Sequence, residues 1–120
     1  MLKIIVAGGR DFNDYCLLKK TLDQFLQDRQ FIDDVEIVSG LAKGADLLGK
    51  KYAEEKHINC REFPANWDLY GKSAGYRRNG EMANYADIAI CFWDGQSKGT
   101  KHMIDTMQKQ GKFVQVIRYN

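Results

Sequence analysis

The sequence predicts an α/β fold in which five parallel strands alternate with four helices. Short apolar runs recur along the chain, stretches with helical spacing separate them, and glycine-rich segments follow several of the runs. A parallel neighbour can be reached only through a crossover of helical length, so the alternation itself implies parallel pairing. With 120 residues, 44% of them hydrophobic, the chain can close one core and is too short for two full domains. Residues 1–120 are therefore expected to form a single domain.

The first strand is expected over Leu2–Ala7, where a run of Leu, Ile and Val is broken only by Lys3. Gly8-Gly9 follows at once, as suits a buried strand ending in a tight turn. Similar runs at Val35–Val38, Ile58–Phe63, Ile88–Phe92 and Phe113–Ile117 supply the other four strands. The first helix is expected from Asn13 to Arg29, with Leu17, Leu18, Leu22, Phe25 and Leu26 on one stripe and Lys19, Lys20, Asp23 and Gln27 facing away. The second, from Gly44 to His57, turns Ala45, Leu48, Tyr52 and Ala53 inward; the third spans Ala74 to Tyr85. The fourth begins at Gly99 or Thr100, buries Met103, Ile104 and Met107, and meets a stop signal at Gly111. With right-handed crossovers these elements make a three-layer Rossmann-like sandwich, strand order 3-2-1-4-5.

Charge and cysteine usage narrow the function. Eighteen basic residues nearly balance sixteen acidic ones, and a net charge of +2 disfavours nucleic acid or an anionic membrane as partner. Any anion site must be local. No run of eighteen apolar residues is present and MLKIIVAGGR turns polar too early for a signal-peptide core, so the cytoplasm is the expected compartment. Cys16, Cys60 and Cys91 are odd in number and form no CxxC pair, which argues against a disulfide framework or a zinc site. Neither a metal nor a cofactor is expected.

In a sheet of this kind ligands bind beyond the carboxyl ends of the strands, where the strand order reverses. Three loops with glycine and a cation should meet there: Gly8-Gly9-Arg10-Asp11, the segment Ser39-Gly40-Leu41-Ala42-Lys43-Gly44-Ala45-Asp46, and Asp94-Gly95-Gln96-Ser97-Lys98-Gly99-Thr100. Glycines permit close backbone approach, and free amides at a helix start favour a phosphate. Neither GxGxxG nor GxxxxGK[ST] occurs, so a standard dinucleotide or P-loop site is disfavoured. Between Trp67 and Met82, the residues Gly71, Ala74, Gly75, Arg78, Asn79 and Met82 recur at spacings of three and four and share one side of a helix and its approach.

Arg78 is the candidate for phosphate or ribose contact; the alternative is that it pairs with Glu81 or Asp46 to fix its helix. Arg77, about a hundred degrees round, suits a solvated charge. Asp46 either accepts from ribose hydroxyls or complements the second helix's dipole. Trp67 and Tyr70 either stack on a base or pack their loop to the body. His57 and His102 read as surface residues, and Cys91, in a core strand, as a poor nucleophile.

The segments GGRDF at Gly8–Phe12, SGLAKGAD at Ser39–Asp46, W...G..AG..RN..M from Trp67 to Met82 and WDGQSKGT at Trp93–Thr100 resemble the SLOG superfamily, in its YspA, cpYpsA-related branch. The likeness spans nearly the whole chain, with the motifs in the family's order. It implies a Rossmann-like fold with a nucleotide-derived ligand under the glycine-rich loops. It also implies homo-oligomers, since relatives are commonly dimers or larger. Superfamily relatives include phosphoribohydrolases, DNA-binding processing proteins and sensors of nucleotide signals in phage–host conflict. The phosphoribohydrolases carry a PGGxGTxxE loop. Here DGQSKGTKHMI keeps Gly99-Thr100 but has Met103 where the glutamate falls, which counts against N-glycosidic hydrolysis.

Three functions remain open at this point. The leading expectation is a module that senses or sequesters a nucleotide-derived phosphorylated ligand through Gly8, Gly9, Arg10, Ser39, Gly40, Lys43, Gly44, Ala45, Asp46, Gly75, Arg78, Asn79, Gly95, Ser97, Gly99 and Thr100. The second is a hydrolase cleaving a nucleoside monophosphate, with Glu81 or Asp94 as the catalytic carboxylate. The third is a single-stranded nucleic-acid binder that adds stacking by Trp67 or Tyr70 to the same loops.

Overall fold

A computed structural model describes residues 1–27 and 34–120. Its strands are β1 (Leu2–Gly8), β2 (Val35–Ser39), β3 (Asn59–Glu62), β4 (Ile88–Trp93) and β5 (Phe113–Arg118). Four crossover helices join them: α1 (Tyr15–Leu26), α2 (Ala45–Lys56), α4 (Ala74–Tyr85) and α5 (Lys98–Lys109), with a one-turn helix α3 (Trp67–Tyr70) leading into α4. The strands form one parallel sheet in the order β3-β2-β1-β4-β5, as the alternation predicts.

The order in which strands are added reverses beside β1, and with crossovers of one hand such a reversal moves the following helices to the other face. Packing shows the result. Ile4 and Val6 of β1 lie with Leu18 and Leu22 of α1 and Tyr52 and Ala53 of α2, whereas Ile5 and Ala7 lie with Met82 and Ala83 of α4 and Met103 and Met107 of α5. Both faces of β1 are covered, which is why its sequence reads as an unbroken apolar run instead of an alternating one.

Element ends follow local chemistry. The Asp14 side chain accepts from the Leu17 amide at 3.0 Å and starts α1 two residues later than expected from the stripe. The expected end of α1 at Arg29 lies outside the described residues. Ser97 caps α5, accepting from the Thr100 amide at 3.4 Å, so this helix opens at Lys98 rather than Gly99. It closes at Gly111, where φ is 73° and the Lys112 amide bonds back to the Met107 carbonyl at 3.0 Å. The expected third strand shortens to four residues because β3 is a sheet edge, largely exposed, with one neighbour to pair with. Among the described residues no helix is long and apolar enough to cross a membrane.

Gly49, buried in α2, sets how closely that helix approaches β1. A Cβ there would lie 2.7 Å from the Val6 Cβ, an atom fixed in the middle of the core strand. Gly49→Ala is therefore expected to lower stability by about 1–3 kcal/mol through overpacking, despite the better helix propensity of alanine. Urea unfolding measures it, and a variant at or above parental stability would show that α2 can back away from the sheet.

Candidate functional site

The loops after β1 and β2 are bound together before any ligand is considered. The Gly9 carbonyl accepts from the Phe12 amide at 3.2 Å and from the Ala45 amide, the first of α2, at 3.3 Å. Gly44 sits at φ 92°, a conformation that disfavours any side chain, and a Cβ there would strike the Gly9 carbonyl and the Arg10 backbone. The non-glycine Leu41 is also left-handed, at φ 64°.

Ser39 is fully buried and acts as a staple. Its hydroxyl donates to the Asp46 carbonyl at 2.9 Å and accepts from the Leu41 amide at 3.1 Å. Asp46 follows on the first turn of α2 with only 5% of its surface exposed. Burial raises its carboxyl to about 6, against the opposing pull of the Arg78 guanidinium, the Ala42 and Gly8 amides and Arg10.

Arg78 lies across the mouth of the second loop. Its Nη1 donates to the Gly40 carbonyl at 2.5 Å and its Nε to Asn79 Oδ1 at 3.1 Å. Burial lowers its pKa, offset by the Asp46 carboxylate, and a guanidinium stays charged regardless. Among the described residues no carboxylate comes within ion-pair distance of it. The structural alternative, pairing with Glu81 or Asp46, is thus not realised as a contact.

The cleft between these loops and α4 comprises two adjoining cavities, of about 490 Å³ and about 330 Å³. Arg10, Ala42, Trp67 and Arg78 line both and make them one groove. The larger cavity also takes in Gly8, Gly9, Asp46, Gly75, Asn79, Asp94, Ser97, Gly99 and Thr100, over a floor of Ala7, Met82 and Met103. The smaller adds Gly40 and Lys43. Most of the sequence-predicted ligand residues are therefore gathered at one place.

Several are not. Gly44 and Ala45 act through backbone, and Ser39 through its staple. Gly95 (φ 86°) turns toward Arg118, away from the groove. Glu81 is exposed on α4 and Lys98 on α5, and neither lines a cavity. Asp94 does line the groove, but its Oδ1 accepts from the Gln96 and Ser97 amides at 2.8 Å each, which lowers its pKa and commits it to holding the turn.

Residues that sequence reasoning missed are Lys72 and Tyr76, both on the groove wall. The signal was present, since Lys72, Tyr76, Asn79 and Met82 repeat the spacing of three and four already used for Arg78. Trp67, Tyr70 and Tyr76 are 49%, 40% and 46% exposed, so each leaves a large part of its ring open to solvent even though each also touches a neighbour on the body. Trp67 lies beside Gly75, its Cη2 within ordinary contact, 3.4 Å, of where a Cβ at that position would be. Arg77 lies over the Tyr70 ring at 4.4 Å and is exposed, as expected of a solvated charge. Arg10, Lys43 and Lys72 are exposed and make no ion pair among the described residues.

Comparison with known proteins bears on this groove. A family model described as the YspA, cpYpsA-related SLOG family matches residues 2–70. The Gene 61 protein of Mycobacterium phage D29 is 30% identical over 117 residues, covering 92% of each chain. Among solved structures, DNA processing protein A of Streptococcus pneumoniae superposes with a TM-score of 0.76 at 19% identity, over 100% of this chain and 51% of that one. DNA processing protein A of Helicobacter pylori, described by its single-stranded DNA binding mode, superposes with a TM-score of 0.66 at 20% identity, over 99% and 66%. The chain spans about half of the first of these two proteins and about two thirds of the second; at such identities the likeness is one of fold.

These neighbours overturn two expectations: a nucleotide-derived small molecule as the ligand, and nucleic acid as a disfavoured partner. The physical error lay in averaging. A net charge of +2 sums over the whole surface, whereas Arg10, Lys43, Lys72 and Arg78 stand along one groove beside exposed aromatic rings.

The Asp46 carboxyl gives this site a measurable signature. Its folded value, about 6, lies above the unfolded value of about 3.9, so the fold favours the protonated form. The resulting stability is complete below about pH 4 and is lost as pH rises toward about 6, with about 3 kcal/mol as an upper bound. Asp46→Asn, which cannot ionise, should gain about 1–3 kcal/mol relative to the parent between about pH 4 and pH 7.5. Urea unfolding at the two pH values checks this; parallel pH dependences of parent and variant would mean that Asp46 ionises without penalty.

Proposed function

The chain belongs to the YspA, cpYpsA-related SLOG family, and from that membership and the character of its groove we propose that it binds single-stranded DNA. The observation that carries this reading is the pairing of cations with exposed rings along one groove: Arg10, Lys43, Lys72 and Arg78 beside Trp67 and Tyr76. Single strands are held by a positive groove that tracks phosphates and by aromatic faces on which unpaired bases stack. A duplex offers phosphates but no free base faces, so the rings give a preference for the single strand. The single-stranded DNA binding mode described for the Helicobacter pylori neighbour supports the same reading.

The division of labour follows the two cavities. The smaller one, with Arg10, Lys43, Arg78 and the Gly40 to Ala42 backbone, suits phosphate. The larger, with its Met82 and Met103 floor and Trp67 and Tyr76 at its wall, suits a base and its sugar. Acidic groups lining the groove do not oppose this freely. Asp94 is held by backbone amides, Asp11 accepts from the Tyr119 hydroxyl at 2.7 Å, and Asp46 is buried.

Binding of a fluorescent oligothymidylate followed by anisotropy tests the proposal. About 0.7 is lost from the slope of log K against log salt for each phosphate contacted on a single strand, so four cations predict a slope of about −3. Trp67→Ala should weaken binding about 5- to 150-fold, the worth of one stacked base. A matched duplex should bind less tightly than the single strand. Equal affinity for duplex and single strand, or a Trp67→Ala variant that binds as the parent does, would sink the reading.

A further inference from the structure

Among the described residues Arg78 is the one groove cation whose side chain is hydrogen-bonded in place, by the Gly40 carbonyl at Nη1 and by the Asn79 side chain at Nε. Asn79 is 7% exposed, and all three of its polar contacts are internal. Its Oδ1 accepts from Arg78 Nε at 3.1 Å, and its Nδ2 faces the Gly99 carbonyl at 3.2 Å and His102 Nδ1 at 3.3 Å. This orientation is the one the chemistry permits. A guanidinium Nε can only donate and a carbonyl oxygen can only accept, so the amide oxygen must face Arg78 and the amide nitrogen must face Gly99.

A consequence follows for His102. Its Nδ1 meets an N–H donor and must itself be the acceptor, which leaves the ring proton on Nε2 and the ring neutral. Partial burial pulls its pKa below the ordinary value, in the same direction. The other use of His102 is mechanical. Its ring lies 4.5 Å from the Tyr76 ring, centroid to centroid, and backs an aromatic side chain that stands 46% exposed on the groove wall. His102 itself lines neither cavity.

We propose that Asn79 and His102 are positioning residues: neutral His102 holds Asn79, Asn79 aims the Arg78 guanidinium at the groove, and the same imidazole supports Tyr76, so that one phosphate contact and one stacking face are set by a single buttress on α5. This rests on the single-strand reading for its role in binding, while the orientation of Arg78 can be read independently of any ligand. The second bond of the Asn79 amide nitrogen, to the Gly99 carbonyl at 3.2 Å, ties the buttress to the backbone of α5.

A double-mutant cycle with oligothymidylate distinguishes positioning from general support of the fold. Asn79→Leu should weaken binding about tenfold or more, the scale of a lost hydrogen bond to a charged group, and should add less than about twofold in the Arg78→Ala background. Equal losses in both backgrounds would overturn the proposal. If Asn79→Leu fails to fold, His102→Phe keeps a ring against Tyr76, deletes the acceptor, and must show the same dependence on Arg78.

A ligand-free readout accompanies the cycle. In 15N-labelled protein the Arg78 Nε–H resonance, assigned by its absence from Arg78→Ala, should be sharp and protected in the parent and lost to solvent exchange in Asn79→Leu or His102→Phe. Its persistence in those variants refutes the positioning role even if the parent binds DNA. Loss of the resonance together with no DNA binding by the parent leaves Arg78 positioned and removes the single-strand reading instead.

Discussion

The reversal of strand order beside β1 is the constraint on which the rest of the molecule depends. Because every strand runs the same way, each carboxyl end and the loop that follows it emerge at one edge of the sheet. Because β1 has β2 on one side and β4 on the other, the helices that follow those two strands lie on opposite faces, and a crevice opens between their first turns. The loops after β1, β2 and β4 then border one crevice without any further instruction. The Gly9 carbonyl, bonded to the first amide of α2, joins two of them.

Into that crevice the chain puts a buried carboxylate and a half-buried guanidinium on either side of Gly40. They sit close enough to influence each other's ionisation yet make no ion pair. A Cβ on Gly40 would come within 2.6 Å of Arg78 Nη1 and 2.8 Å of Asp46 Oδ2. The glycine therefore reports crowding by two charged side chains rather than an unusual backbone. Desolvated groups of this kind oppose stability unless fully paired, and their presence in a cleft is a common mark of function. Arg78 keeps part of its guanidinium unpaired, which leaves donors for an incoming anion.

Most of the fold was legible in the sequence. Strand and helix periods differ, β1 and β4 are covered on both faces and read as continuous apolar runs, and the helices carry stripes. The errors fall at edges, where burial no longer enforces a pattern: β3 is shorter than its apolar run, and the segment after it holds a helical turn capped by Asn66 that a loop reading overlooked. The site was legible in its glycines and in Arg78. What sequence could not separate was backbone from side-chain roles, so Ser39 and Gly95 looked alike although one staples a turn and the other faces Arg118. Lys72 and Tyr76 escaped because the stripe was read for its small residues, and the small residue Gly75 lies against Trp67 as well as lining the larger cavity.

The choice of ligand class turns on the aromatic side chains. A site for one small metabolite gains most by closing over it, and rings in such a site are normally buried against the body. Here Trp67, Leu69, Tyr70 and Tyr76 all stand exposed within one stretch of ten residues, on or beside an open groove that continues past the larger cavity into a second one. A cluster of that kind on a small protein carries an aggregation cost unless something covers it. Bases of a single strand cover such rings face to face while their phosphates run on to the cations beyond, and a compact ligand confined to one cavity would leave half of these groups unused.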